Sequence, residues 1–316
     1  MEEKLKPDWA GDDLLSRFVN LLIKTKPIYS IMKAQARNVL IKTAEKNGVP
    51  WRKKYQELDN SNIKDSLEEI SNPNLKYPEY YQVPFHAYDE GNMCWKAAFE
   101  ANCATYAMGL RIWKNEKLTP DVAQNRLRNS FLQILDQYIS HPVKNVLDIG
   151  CSVGISTLAL HRYLSEKQTQ KINTIGLDLS PYMLTVAKND DTQGEISQWV
   201  HGKAEKTNFD DNYFDVITLQ FLLHELPNQA TTEIFQEIFR ILRPGGCVAI
   251  VDNNPKSEVI QNLPPALFIL MKSTEPWSDE YYTFNIEESL KNIGFDYKIT
   301  TESDPRHRTI IALKPH

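Results

Sequence analysis

At 316 residues with a formal net charge of −5, the chain can bury a substantial core and gives little electrostatic reason to bind a polyanion such as nucleic acid. Its four cysteines, Cys94, Cys103, Cys151 and Cys247, are scattered with no C-x-x-C pair, which argues against a disulfide framework or a zinc knuckle and suits a reducing compartment. No apolar run reaches about eighteen residues, so no membrane-spanning helix is expected, and residues 1–7 lack the apolar centre of a secretory signal, which points to the cytoplasm.

Up to about residue 140 the pattern is helical and rich in polar residues. Residues 12–24 space Leu14, Leu15, Phe18, Leu21 and Leu22 as a helix does, and residues 28–46 continue with Ile31, Ala34, Val39, Leu40 and Ala44, so a helical hairpin is expected. A polar stretch from 60 to 84 contains the turn signal Asn72-Pro73-Asn74 and leads into aromatic text around Tyr77, Tyr80, Tyr81, Phe85, His86 and Tyr88. Helices are then predicted over 92–113 and, capped by Thr119 with Pro120 in its first turn, over 119–139.

From residue 141 onward short apolar runs alternate with helical segments, the arrangement of a parallel sheet with crossover helices. Strands are predicted at 143–149, 172–177, 196–200, 214–219 and 247–251, the last following the turn Pro244-Gly245-Gly246. Helices are predicted at 156–164, 180–187, where Ser180-Pro181 supplies the cap, 232–242 and 286–293, and residues 297–301 and 309–313 are expected to pair as an antiparallel hairpin. The fold class is therefore α/β: a Rossmann-like, doubly wound seven-stranded sheet with an antiparallel last pair over 141–316, preceded by a mainly helical cap or substrate domain over 1–140.

The strongest chemical signal is Asp148-Ile149-Gly150-Cys151-Ser152-Val153-Gly154. A buried strand enters a turn whose glycines permit positive φ and close approach, and the following helix offers free N–H groups to an anionic ligand edge. A second acid, Asp178, ends the next strand, where a carboxylate accepts hydrogen bonds from both ribose hydroxyls of a nucleoside cofactor. Without a ligand it is simply an acid at a helix N-terminus.

With these residues in order, followed by Gly202-Lys203-Ala204-Glu205, Phe214-Asp215-Val216-Ile217 and Leu242-Arg243-Pro244-Gly245-Gly246, the chain from about Lys144 onward resembles the class I S-adenosylmethionine-dependent methyltransferases, in particular the ubiquinone/menaquinone-biosynthesis-like enzymes acting on small molecules. The resemblance implies S-adenosylmethionine as cofactor and S-adenosylhomocysteine as product. It implies that Asp148, Gly150 and Cys151, with Gly154 closing the loop, lie along the methionine part. It places Asp178 and Leu179 at ribose and adenine, Ala204 at the adenine edge, and Gln220 and Phe221 facing the sulfonium. Ser152 replaces the middle glycine of the usual loop, and Lys203 stands where an acid often meets the adenine amine, leaving Glu205 as its substitute.

Since a sulfonium already carries an activated methyl, the protein must mainly align and desolvate a nucleophile, with a base only for a protonated one. His224, just past the fourth strand, is one candidate base or a structural histidine beside the cofactor; His86, among aromatic residues, is the other. Tyr81, Phe85, His86, Tyr88, Trp95, His224 and Phe268 are the expected substrate-pocket residues, the aromatic stretch being either a lid or a packing seam. No metal site is expected. The acceptor is expected to be a small, apolar or aromatic metabolite such as a quinone, phenol or lipid-like molecule, and nothing in the pattern fixes an oligomeric state.

Two readings from other classes compete. Gly150-Cys151-Ser152-Val153-Gly154 spells the nucleophile elbow of α/β-hydrolases, with Ser152, Asp252 and His307 in a permissible chain order. Alternatively the fold is a cofactor-binding module used for assembly or interaction without turnover. A dinucleotide dehydrogenase is disfavoured because the loop lacks G-x-G-x-x-G.

Overall fold

A computed structural model describes residues 14–113 and 115–316, so the opening segment and the predicted helix start at Asp12 and Asp13 lie outside the described residues. Among the described residues six α-helices precede the sheet: α1 (Leu14–Lys24), α2 (Lys26–Lys46), α3 (Trp51–Asp59), α4 (Leu67–Ile70), α5 (Trp95–Ile112) and α6 (Pro120–Leu135). Then come β1 (Asn145–Ile149), α7 (Ile155–Glu166), β2 (Asn173–Asp178), α8 (Pro181–Asp190), β3 (Gln198–His201), β4 (Phe214–Gln220), α9 (Asn228–Ile241) and β5 (Leu242–Asn253). Short helices α10 (Glu258–Gln261), α11 (Pro265–Lys272) and α12 (Ser278–Thr283) follow, then α13 (Ile286–Ile293), β6 (Asp296–Glu302) and β7 (His307–Leu313).

The seven strands run in the order β3-β2-β1-β4-β5-β7-β6, parallel except that β7 is antiparallel to both its neighbours. Alternation along the central strands feeds two cores. Leu147, Ile149, Ile217, Leu219, Val248 and Ile250 face α9 and α13, whereas Val146, Val216, Ala249 and Val251 face α6 and α7. Both faces are covered, as the continuous apolar runs require. Helix α6 belongs to this layering, because Phe131, Leu132 and Leu135 are fully buried against the sheet. A third cluster, with Ala97, Ala98 and Phe99 of α5 and Met183 and Val186 of α8, docks the earlier helices on the sheet layer.

Two local expectations are corrected. The first two helices are separated by Thr25 alone, too short a connection for a hairpin, and Pro27 in the first turn of α2 starts a new helix at once. The apolar stripe of α1 is open, with Leu14 86% and Leu21 62% exposed. The fifth strand starts at Leu242 rather than after the Pro-Gly-Gly turn, since a register shift between Phe214 and Val216 absorbs those residues opposite β4. The Thr119 and Ser180 caps form as expected, accepting from the N–H groups of Val122 and Met183.

Candidate functional site

The carboxyl ends of β1, β2 and β4 meet at the position where open α/β sheets place their ligands. Three residues of the β1–α7 turn take left-handed backbone: Gly150 at φ 70°, Ser152 at φ 49° and Gly154 at φ 79°. Ser152 thus adopts the conformation that a middle glycine would take more cheaply. The turn is pinned by the N–H groups of Gly150 and Cys151, which donate to Leu177 O at 2.8 and 3.1 Å. A Cβ on Gly154 would come within 2.5 Å of the Trp199 ring, so Trp199 backs the turn. No side chain caps α7, which leaves the N–H groups of its first turn facing the crevice. The Cys151 thiol is buried and pushed well above its ordinary pKa by desolvation, with nearby Asp178 and Asp148 adding to the shift; it is inert as a nucleophile.

The two acids at the strand ends differ in kind. Asp148 is 1% exposed and its oxygens are saturated: Thr218 Oγ1 and Gln220 Nε2 donate to Oδ1 at 2.6 and 3.3 Å, Thr157 Oγ1 and Ser156 Oγ to Oδ2 at 2.7 and 3.0 Å. Burial raises its pKa while these donors pull it back. Asp148 therefore ties β1 to β4 and α7. Asp178 is only half-buried, and its oxygens accept from the N–H groups of Ser152 and Ser180, both at 2.8 Å, keeping lone pairs for a ligand. Desolvation pushes its pKa up to about 6 against those backbone donors.

Other predicted cofactor residues gather around them. Leu179 O accepts from His201 Nε2 at 3.0 Å, with Tyr77 on the same nitrogen and the His201 Nδ1 side held by Asn72 N–H at 2.8 Å. Ala204 is buried in the core beside the strand ends. Glu205 Oε1 accepts from the Tyr80 hydroxyl at 2.5 Å, while its buried Oε2 has no partner among the described residues. Phe221, left-handed at φ 61°, packs its ring on His307 at 5.0 Å and beneath the Arg128 guanidinium at 5.2 Å.

Arg128 escaped the sequence reading. It lies on the face of α6 that carries Phe131 and Leu135, is 8% exposed, and its Nε and Nη1 lack partners among the described residues. Burial pulls its pKa down to about 10, opposed chiefly by Asp148. A charged residue at a core position of an amphipathic helix was the available signal.

At the crevice mouth the aromatic stretch crosses the strand ends. Phe85 and Tyr88 close a tight turn, bonding N–H to carbonyl in both directions at 2.8 and 3.0 Å, with His86 and Ala87 at its tip in left-handed backbone, φ 47° and 68°. The Phe85 ring meets that of His86 at 4.3 Å. The His86 N–H donates to Thr274 O at 2.9 Å, joining this turn to the segment after α11. His86 Nε2 stands 3.6 Å from Glu225 Oε1, and His224 Nδ1 is bonded to Asp252 Oδ1 at 2.7 Å. Asn92 Nδ2 donates to Glu225 at 3.2 Å, and Asn92 O accepts from Ser180 Oγ at 2.6 Å, so Asn92 links the segment of the histidines to the loop after Asp178.

The charges there are strongly perturbed. Desolvation lowers the His224 pKa, but Asp252 more than reverses this, and the imidazolium is held to about 10. His86 is pulled well below its ordinary value by desolvation and by His224, so its ring is neutral near neutrality. Burial pushes Glu225 up to about 8, against the pull of His224 and with the push of Asp178. Tyr81 is raised well above its ordinary value by burial and by the charges of Asp178 and Glu225. The remaining predicted pocket residues pack instead: Tyr88 donates to Glu100 at 2.6 Å, Trp95 stacks edge-on with Tyr182 at 5.1 Å, and Phe268 is 1% exposed against Tyr282.

The hydrolase reading fails on geometry. Ser152 Oγ lies 3.6 Å from Met183 Sδ, Asp252 is engaged by His224, and His307 Nδ1 is bonded to Asp304 at 2.8 Å, so Ser152, Asp252 and His307 do not form a relay.

A family model described as a methyltransferase domain matches residues 147–250. Demethylmenaquinone methyltransferase of Oceanobacillus iheyensis is 32% identical over 113 residues, 35% of this chain and 45% of that protein. The enzyme of the same name from Staphylococcus epidermidis is 37% identical over 108 residues, 34% of this chain and 42% of that one. The chain thus spans about half the length of the curated relatives it matches. Among solved structures, Haemonchus contortus phosphoethanolamine N-methyltransferase 2 with S-adenosyl-L-methionine aligns at TM-score 0.44 and 20% identity, covering 60% of this chain and 53% of that one. The matched run begins inside β1 and ends inside β5, and so takes in the turn and both acids at the strand ends: this part of the chain is similar to a methyltransferase domain and to the corresponding part of the demethylmenaquinone methyltransferases.

Proposed function

We propose that the protein transfers a methyl group from S-adenosylmethionine to a small aromatic or lipid-like acceptor of the quinone or phenol class. The observation that carries the cofactor side is unpartnered buried polarity: Nε and Nη1 of Arg128, whose guanidinium lies over Phe221 just past β4, and Oε2 of Glu205, a few residues past β3. A buried cation and a buried acceptor atom without partners are costly in an empty protein and are satisfied by a ligand with a carboxylate at one end and an amine at the other. Arg128 then holds the methionine carboxylate, Asp178 the ribose hydroxyls, and Glu205 the adenine amine. Asp148 keeps the turn in shape, Gly150 and Cys151 give close approach, and Gln220 and Phe221 border the methyl.

The cofactor supplies an activated methyl on a sulfonium; the chain supplies alignment and exclusion of water. Tyr81, Phe85 and His86 form the acceptor side, with His86 and His224 facing its reacting group. Residues 1–140 serve as the cap that shapes this side, α6 being built into the sheet layer, and residues 141–316 as the cofactor domain. The relatives named for demethylmenaquinone support a flat, apolar acceptor. No described helix is long and apolar enough to cross a membrane, and the acceptor is reached as a small molecule by a cytoplasmic protein.

The test is incubation with methyl-labelled S-adenosylmethionine and a panel of hydroquinones, phenols and small-molecule extracts, with products read by mass spectrometry. Labelled product on an aromatic acceptor is expected. Tight binding of S-adenosylhomocysteine with no transfer to any of them favours the binding-module reading instead.

A further inference from the structure

We infer that His86, His224 and Glu275 form a binding site for a divalent transition-metal ion of the zinc type, open toward the acceptor. Ligand atoms of the three side chains all lie within 4.8 Å of one another. A tetrahedral site with bonds of about 2.1 Å separates its ligands by roughly 3.4 Å, so modest side-chain rotation closes the set. Two imidazoles and one carboxylate are a donor set that zinc takes in sites which keep a fourth position for water or substrate.

Three further features point the same way. His224 Nδ1 is fixed by Asp252 at 2.7 Å, so the ion takes the other ring nitrogen and displaces its proton to solvent, while the carboxylate behind the ligating histidine orients the ring. His86 sits at the tip of a turn in left-handed backbone that non-glycine residues adopt at a cost, and such strain collects where a side chain must be aimed. The main-chain bond from His86 N–H to Thr274 O, 2.9 Å, sets that turn beside Glu275, so strand-end, turn and insertion converge by construction. Glu275 keeps its own orientation through Ser278 Oγ, which donates to Oε2 at 3.1 Å.

The use of the site rests on the methyl-transfer reading above. A phenolic or enolic hydroxyl entering the open position loses its proton to solvent, and the electron pair left on oxygen forms the bond to the metal. Binding of the ion itself does not require that reading.

The full chain, stripped with a chelator, is titrated with Co2+ as a spectroscopic probe and with Zn2+ in competition. One equivalent with the visible bands of a four- or five-coordinate ion is expected, displaced by Zn2+. Glu275→Gln and His86→Gln should each weaken Co2+ at least tenfold while S-adenosylhomocysteine binding by calorimetry stays within twofold, which shows that the fold is intact. Asp252→Asn should weaken it about ten- to hundredfold and shift the bands. The metal-loaded protein should also shift the absorbance of 4-nitrocatechol, and the stripped protein should not. Failure of Co2+ to bind stoichiometrically, or binding indifferent to all three substitutions, overturns the site even if methyl transfer is demonstrated. A metal bound as expected in a protein that methylates nothing overturns the methyl-transfer reading and leaves the site standing.

Discussion

The β1–α7 turn and the turn at His86 both force a non-glycine residue into left-handed backbone, Ser152 at φ 49° and His86 at φ 47°, yet they are different kinds of construction. The β1–α7 turn is held mainly from β2 and the helix after it: Asp178 accepts from Ser152 N–H, Leu177 O from Gly150 and Cys151, and Met183 of α8 meets the Ser152 hydroxyl. Around His86 the partners are Thr274, from the segment after α11, and the neighbours His224 and Glu225, from the segment after β4. The first region is built from elements that follow one another in the chain. The second acquires chemistry only when the fold brings its pieces together.

The sharpest way to test that contrast is Asp148, which the turn shares with β4 and α7. Replacing it with alanine strands four donors in a buried place, Thr218, Gln220, Ser156 and Thr157. Each orphaned group costs about 1–3 kcal/mol before relaxation, so a loss of at least about 3 kcal/mol is expected in urea unfolding. A loss below about 1 kcal/mol would show that the motif's acid is not the keystone of its shape. Asp178→Ala acts on the ligand instead. It should weaken S-adenosylhomocysteine by about 1.5–3 kcal/mol in calorimetry, the range for hydrogen bonds to a charged group, with a smaller change in stability. Equal effects of the two substitutions on stability and on binding would erase the division between the acids.

What was legible follows the same division. The sheet, its antiparallel last pair and the two acids are written in contiguous text, where period-two apolar runs, glycines and caps each state a local preference. The bounds of β5 were missed because pairing with β4, not the Pro-Gly-Gly turn, sets where a strand begins. Phe268, in the apolar insertion after the fifth strand, and Trp95, beside the aromatic stretch, read as pocket residues because an apolar run does not reveal which face it turns inward; in the fold Phe268 fills core and Trp95 packs half-buried against it. Glu275 carried no signal, being one acid in a polar connection. Glu225 was visible only as the neighbour of His224.

Arg128 sits between the two regions, on a helix before the sheet but with its guanidinium near the β1 acid. If it anchors the cofactor carboxylate, Arg128→Met should weaken S-adenosylhomocysteine about tenfold, which is about 1.4 kcal/mol, while leaving the empty protein as stable or more so. Methionine fills similar space and removes a buried cation whose Nε and Nη1 have no partner among the described residues. Destabilisation with unchanged affinity would instead make Arg128 a structural element of α6.

The smallest expected effect concerns protons on Asp178, and its sign separates fold from site. Burial raises the pKa to about 6, above the ordinary 3.8, so in the empty protein the protonated form is favoured. Its contribution to stability is then fully present below the unfolded value and is lost as pH rises through about 6. Ribose hydroxyls donate to the carboxylate, so cofactor affinity runs the other way and falls as pH drops through the same value. Calorimetry should show S-adenosylhomocysteine about twofold weaker at pH 6 than at pH 8 and about tenfold weaker at pH 5, with up to one proton released on binding at the acid end. Many carboxylates titrate in this range, so the assignment rests on a difference: Asp178→Asn should flatten the affinity profile between pH 5 and 8. Its stability relative to the parent should rise with pH over the window between 3.8 and about 6, because the desolvated charge is gone. A parent profile that stays flat down to pH 5 would mean that the ribose, if it binds here, is held by the N–H groups around Asp178 and not by its charge.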